Sequence, residues 1–203
     1  MTTTIDLKRT YRDHYTATAR PAIVDVPARP CLMIDGSGDP NTSQEYVDAI
    51  SSLYPIAYGL RKALAGVTGI AYTVMPLEGL WWVDDMRDFD PDDKSNWKWT
   101  AFICQPDAVT PEMVAEVIDG VTTVKQLASG HLARLEQFGD GLSAQVLYRG
   151  PYSDEGPTIA DLHGFVASTG HRLHGKHHEI YLSDARRTDP AKLRTIIRQP
   201  MTP

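Results

Sequence analysis

A carboxylate stands in the middle of a strand-like run, His177-His178-Glu179-Ile180-Tyr181-Leu182. Strand alternation sets Ile180 and Leu182 on one face and Glu179 with Tyr181 on the other. If Ile180 and Leu182 meet the helices, Glu179 emerges on the opposite side beside a phenol. A carboxylate among aromatic rings costs free energy unless it is paired or partly wet. It is therefore either a salt-bridged residue on an exposed face or a group that recognises a ligand or activates water. The four tryptophans Trp81, Trp82, Trp97 and Trp99 are all that the chain has, and they fall within 19 positions. Trp97 and Trp99 share a strand face, whereas the adjacent Trp81 and Trp82 leave opposite faces, so one of those two is expected beside a ligand. Tryptophan packs in cores, but its broad ring and N–H also suit a flat aromatic ligand or an organic cation. Both readings stand.

Other candidate chemistry falls away. His171, His174, His177 and His178 lie within eight residues, but His177 and His178 must point to opposite faces of a strand. A zinc site needs three or four converging ligands, so no metal is expected there. Gly36-Ser37-Gly38-Asp39-Pro40-Asn41 begins like a dinucleotide loop, yet ends in Asn41 and loses a donor at Pro40. Asp88, Asp90 and Asp92 imitate the start of a calcium loop, but Asp93 stands where Gly is needed and Trp99 where Glu is needed. The acidic stretch 84–93 reads as a solvated loop. No Gly-x-Ser-x-Gly elbow and no phosphate loop occurs, and no cofactor is expected.

The bulk properties limit the function class. In 203 residues, 42% are hydrophobic and 23% charged, as in an ordinary globular domain. The 20 basic and 26 acidic residues leave a net charge of -6, which argues against direct nucleic-acid binding. No apolar run reaches the roughly 20 residues of a membrane span, and residues 1–15 carry no apolar signal segment. Two cysteines, Cys31 and Cys104, exclude a disulfide framework and favour a cytoplasmic protein.

The elements that must carry these residues can be read from periodicity and punctuation. Residues 7–15 suggest a short helix, and 22–26 and 31–34 suggest strands. Tyr46, Ile50, Leu53, Ala57, Leu60 and Leu64 step by four and three along one helix face. Asn41 or Thr42 would cap that helix, Gly66 would follow its end, and Pro55 would kink or break it. Residues 71–83 suggest a bulged or edge strand around Pro76 and Gly79, and 97–104 a second strand. Thr110-Pro111 opens a helix. Residues 132–138 and 142–148 flank Gly139-Asp140-Gly141, a hairpin signal. Residues 155–169 suggest a helix with Ile159, Leu162 and Val166 inward and Gly170 at its end. Strands follow over 177–182 and 195–198.

The two halves echo each other. Each runs strand, Gly/Pro turn, amphipathic helix, then a strand bearing one carboxylate, Glu78 in the first and Glu179 in the second. The expected fold is α+β, an antiparallel sheet with helices on one face, possessing a duplicated unit.

Five stretches, in this order, resemble the GyrI-like small-molecule-binding proteins in their stand-alone form: 35–41 (Asp-Gly-Ser-Gly-Asp-Pro-Asn), 75–82 (Met-Pro-Leu-Glu-Gly-Leu-Trp-Trp), 97–100 (Trp-Lys-Trp-Thr), 150–155 (Gly-Pro-Tyr-Ser-Asp-Glu) and 177–184 (His-His-Glu-Ile-Tyr-Leu-Ser-Asp). The resemblance runs from about residue 7 to residue 200. It implies one domain over 1–203, built as an N-terminal arm over 1–30, a first strand-helix-strand-strand (SHS2-type) repeat over 31–110, and a linking helix with a second repeat over 111–203. A ligand groove would lie on the pseudo-twofold axis between the repeats. It also implies that Glu179 matches a drug-contacting glutamate at the base of an aromatic pocket. Some members carry a helix-turn-helix domain ahead of this one. Only about 30 residues precede the first matching strand here, so none is expected within them.

Three functions fit these residues. The first is capture of flat, hydrophobic, often cationic small molecules by Glu179, Tyr181, Tyr152 and the tryptophans Trp81, Trp82, Trp97 and Trp99. The second, carried by the resemblance, is a hydrolase that opens the cyclopropane ring of DNA-alkylating natural products, with Glu179 or Tyr152 activating water. The third is a protein-binding modulator, for which the resemblance offers DNA gyrase. A homodimer is compatible with all three.

Overall fold

A computed structural model describes residues 3–86 and 93–203. Along the chain it contains β1 (Thr3–Ile5), α1 (Leu7–Thr10), α2 (Arg12–Tyr15), β2 (Ala22–Val26), β3 (Arg29–Ser37), α3 (Gln44–Thr68), β4 (Ile70–Tyr72), β5 (Glu78–Trp82) and β6 (Lys98–Cys104). There follow α4 (Pro111–Lys125), β7 (Arg134–Phe138), β8 (Gly141–Arg149), α5 (Gly156–Ser168), β9 (Arg172–Leu173), β10 (His177–Tyr181) and β11 (Arg194–Thr202). The fold is α+β and its long ladders are antiparallel; β1 and β4 form a short parallel pair. Asp88, Asp90 and Asp92 lie outside the described residues. No described helix is long and apolar enough to cross a membrane.

These elements form two compact units, each assembled from separate stretches of chain. The first takes described residues 3–10, 29–75, 83–86 and 93–138; the second takes 11–28, 76–82 and 139–203. In the first, β3 lies between β6 and β7. Helix α3 buries Ala49, Leu53, Ile56, Ala57, Leu60 and Leu64, each larger apolar side chain stabilising the fold by about 1.5–3 kcal/mol. Its cap is Ser43, not Asn41 or Thr42: Ser43 Oγ accepts the Tyr46 N–H at 3.3 Å. It ends at Gly69, not Gly66, because Gly69 takes the left-handed conformation (φ 71°) that closes a helix. Nor does Pro55 break it. The carbonyl that Pro55 cannot serve belongs to Ser51, an exposed residue where water can take the donor's place. Helix α4 starts as its sequence indicates, with Thr110 Oγ1 accepting from Met113 N–H.

In the second unit the strand order is β2-β8-β11-β10-β5, with β9 beside the end of β11. Helix α5 presses Leu162 and Val166 onto Ala144, Val146, Ile197 and Met201 of the sheet, flanked by Ile159, Phe165 and Tyr148.

Four expectations are corrected. The short helix over 7–15 is two four-residue helices, α1 and α2. The strand over 71–83 is divided: β4 ends at Tyr72, the chain passes Pro76 without ladder pairing, and β5 starts at Glu78 in the other unit. The hairpin at Gly139-Asp140-Gly141 does not exist. Strand β7 pairs with β3, while β8 pairs with β11 and β2, so this turn carries the chain from one unit to the next. A turn signal permits a hairpin, but long-range pairing decides it. The last strand runs nine residues rather than four.

Candidate functional site

The register of β10 decides what Glu179 faces. Residues directly opposite in an antiparallel pair share a sheet face. Glu179 lies opposite Ile197 on β11, and Ile180 opposite Ile196. Ile197 belongs to the cluster under α5, so Glu179 lies on the same face as α5. The expectation that Ile180 meets the helix and Glu179 turns away is reversed for this unit. On its other flank, Glu179 lies opposite Gly79 of β5, and His177 opposite Trp81. Trp81 therefore shares the Glu179 face and Trp82 does not.

Gly79 makes room at this point. A Cβ there would lie 3.0 Å from the Trp81 indole nitrogen and 3.1 Å from its ring carbons. The indole of Trp81 thus lies across Gly79, next to the position opposite Glu179. The carboxylate itself is held from both sides: His177 Nε2 is 3.1 Å from Oε1, and Tyr181 donates its hydroxyl to Oε2 at 2.7 Å. The Tyr152 ring meets Tyr181 edge-on, centroids 5.5 Å apart. Tyr152 is 39% exposed, and the Glu179 side chain keeps 14% of its surface. A carboxylate oxygen has two lone pairs and can accept more than one donor. From α5, His163 faces this group. Burial first, and then the charge of His177, push its pKa below the usual histidine range, and its Nε2 is buried without a hydrogen-bond partner among the described residues.

On the reverse face the chemistry is closed. His178 points its two ring nitrogens at two carboxylates, Nδ1 at Asp140 (2.8 Å) and Nε2 at Glu78 (3.1 Å). Only the imidazolium donates from both nitrogens, so the geometry suits a charged ring. Burial works against that charge, but the charge and hydrogen bond of Asp140 and the hydrogen bond of Glu78 outweigh it and raise the His178 pKa. Asp140 also accepts from Arg198 Nη1 at 3.1 Å. Burial alone would raise its pKa, yet the charges and hydrogen bonds of His178 and Arg198 hold it down at about 2. Tyr15 donates to the second oxygen of Glu78 at 2.7 Å. Arg198 completes its shell on Gln145 Oε1 and the His14 carbonyl. Two anions and two cations thus sit with side chains no more than 2% exposed, mutually neutralised.

The remaining predicted residues are placed as follows. Trp82 is half-buried beneath Lys176, whose Nζ lies 3.2 Å from the ring centroid. Trp97 and Trp99 belong to the first unit. Trp99 is fully buried, edge-on to Tyr46 at 5.0 Å; a Cβ at Gly36 would lie 2.2 Å from its ring, so only glycine fits there. The clustered histidines diverge: His177 to Glu179, His178 to the buried carboxylates and His171 to Thr169, while the His174 carbonyl accepts from Gln199 Nε2. No group of three or more His, Cys, Asp or Glu able to hold a metal occurs among the described residues. The sequence reading missed His163, Asp140 and Arg198. His163 alone had a signal, since it falls with Ile159, Leu162 and Val166 on the helix stripe that faces the sheet.

Comparison with known proteins agrees with this architecture. The family model for the GyrI-like small molecule binding domain matches residues 20–201. A crystal structure of an uncharacterized conserved protein from Listeria innocua superposes with a TM-score of 0.90 at 36% identity, covering 98% of this chain and 100% of that one. A hydrolase from Listeria innocua superposes at 0.88 with 34% identity, again over 98% and 100% of the two chains. The EcmrR C-terminal domain shares the fold at 15% identity and a TM-score of 0.59, over 90% and 97%. No curated protein matches.

Proposed function

This chain belongs to the family of GyrI-like small-molecule-binding domains, and we propose that it takes up flat, hydrophobic, preferably cationic aromatic molecules against the Glu179 face of its second unit. One observation carries the reading: a carboxylate held by His177 and Tyr181, partly open to solvent, and bordered by the Trp81 indole and the Tyr152 ring. An imidazole and a phenol hold it, whereas the reverse-face quartet holds a guanidinium, and a ligand's positive charge would gain from the carboxylate. Tyr152, 39% exposed, supplies stacking area, whereas Trp81, 3% exposed, backs the site. The test is titration with a rhodamine dye and with a neutral aromatic of similar size, followed by tryptophan fluorescence. Wild type should bind the cation more tightly, and Glu179→Gln should erase that preference. Equal dye affinity in both proteins would overturn the reading.

A second reading makes the same site hydrolytic. Two observations favour it: the 34% identity to a Listeria hydrolase over nearly the whole chain, and the His177–Glu179–Tyr181 arrangement, which can hold a carboxylate ready as a base. Glu179 would take a proton from water as the water oxygen bonds a strained ring carbon. The cleaved ring bond would give its electron pair to the rest of the ligand, which solvent then protonates. A product heavier by one water, formed from a cyclopropane-bearing alkylator and absent with Glu179→Gln, would separate chemistry from simple capture.

A further inference from the structure

All the cysteine in this chain is at one place. Cys31 of β3 lies directly opposite Cys104 of β6. The backbone identifies which kind of cross-strand pair this is. Gly38 N–H donates to the Trp97 carbonyl and Gln105 N–H to the Pro30 carbonyl, each at 2.8 Å, so Gly38·Trp97 and Pro30·Gln105 are hydrogen-bonded positions of the ladder. Such positions alternate with non-hydrogen-bonded ones. Cys31·Cys104 is one step in from Pro30·Gln105, and an odd number of steps from Gly38·Trp97. Both counts make it a non-hydrogen-bonded pair, where opposed side chains come closest and the Cα atoms stand about 4.5 Å apart. That separation lies within the roughly 4.4–6.8 Å that a disulfide spans. The sulfurs already meet at 2.7 Å, both unbridged. Cys31 is fully buried, and Cys104 keeps 5% of its surface.

We propose that Cys31 and Cys104 are a redox modification site, a thiol pair that a peroxide converts into an intrachain disulfide across β3 and β6. The electrons balance in two steps. The Cys104 sulfur attacks one peroxide oxygen; an S–O bond forms, the O–O bond breaks, and the departing hydroxide leaves as water with the thiol proton. The Cys31 sulfur then attacks the Cys104 sulfenic acid; the S–S bond forms, the S–O bond breaks, and a second water leaves with the Cys31 proton. Two thiols and one peroxide give one disulfide and two waters. The first step is slow because a buried thiol ionises poorly. The second is fast because its partner is already in contact, so sulfenic acid does not accumulate. The bond ties residues 73 apart in sequence and encloses α3 in the loop, which restricts the unfolded chain and raises the stability of the oxidised form.

The experiment treats the full folded chain with excess hydrogen peroxide and reads its intact mass without reductant. The expected result is a loss of two hydrogens, a linked peptide pair containing Cys31 and Cys104, no thiol titratable in denaturant, and a Tm several degrees higher, all reversed by dithiothreitol. The same treatment of Cys31→Ala should instead leave Cys104 carrying added oxygen. Two thiols surviving in the wild type, oxygen added to it without a link, or a link between two chains would each overturn the proposal.

Discussion

On β10 two neighbouring histidines each hold a glutamate, yet the two pairs live in different dielectric worlds. His178, with Glu78, Asp140 and Arg198, is sealed and charge-balanced, and Glu78 has a donor on each oxygen. His177, with Glu179 and Tyr181, is part-buried on the face that α5 shares, and the Glu179 side chain keeps 14% of its surface. A satisfied buried network specifies structure and has little left to offer a ligand. A partly wet carboxylate beside aromatic rings is the cheaper place to receive one. On the proposed function, adjacent residues of β10 serve a structural side and a ligand-facing side, and substitutions should respect that division.

The largest effect is expected from Asp140→Ala. It leaves His178 and Arg198 as buried cations without the carboxylate they share, Glu78 still facing His178. Removing one partner of a buried pair costs about 3–5 kcal/mol, so urea unfolding should show most of the stability gone, while any correctly folded fraction binds dye normally. Glu179→Gln should do the reverse. Chemical denaturation should move by less than about 1 kcal/mol, whereas preference for a cationic dye is lost. If the site is hydrolytic, turnover should fall by about 10²–10⁴. A stability loss in Glu179→Gln equal to that in Asp140→Ala would collapse the distinction.

Much of what positions both faces was legible locally. Punctuation bounds β2 over 22–26, the 3.6-residue stripe marks the inward residues of α5, and alternation alone joins Glu179 to Tyr181. What was not legible depended on distant pairing. Asp140 looked like a turn residue of a hairpin, because its partner His178 lies 38 residues away. Glu78 and Glu179 looked like equivalent residues of a repeat. The register sets Glu78 opposite Ile180 and Glu179 opposite Gly79, one step out of equivalence, and one step in a strand is the other face. Periodicity reports which residues share a face. It does not report which strand arrives beside them, and so it could not say which face the helix would take.

The pH dependence of stability sharpens the structural side further. Asp140 titrates at about 2 when folded, against about 3.9 unfolded. Its contribution is therefore present above pH 4 and lost as pH falls towards 2. His178 has a raised pKa, so its contribution is complete below about 6.5 and lost as pH rises through the folded value. His163, whose pKa is lowered by burial and by His177, acts in the opposite sense below about 6.5, so the His178 limb is best read above neutrality. Calorimetric Tm should decline on that alkaline limb in the wild type and be flat there in His178→Asn. An unchanged slope in the variant would assign the decline to other groups.

The smallest effects come from one chemical change made on the two faces in turn. Tyr15 and Tyr181 each donate a hydroxyl to a glutamate at 2.7 Å, Tyr15 to Glu78 and Tyr181 to Glu179. Substitution by Phe deletes only that oxygen. At Tyr15 the acceptor is dry, so Tyr15→Phe strands a buried carboxylate oxygen and should cost about 1–3 kcal/mol of stability with dye affinity unchanged. At Tyr181 water can reach the carboxylate and replace the lost donor, so stability should change by about 0.5 kcal/mol or less. The loss should appear instead in binding, because residue 181 no longer fixes the carboxylate oxygen that a ligand would meet, while its ring keeps the edge-on contact with Tyr152. A fall of about three- to tenfold in cation affinity is expected, a tenfold change being about 1.4 kcal/mol. Paired unfolding curves and dye titrations of the two variants decide the matter. If Tyr15→Phe weakened binding and Tyr181→Phe weakened folding, the assignment of the two faces would have to be exchanged.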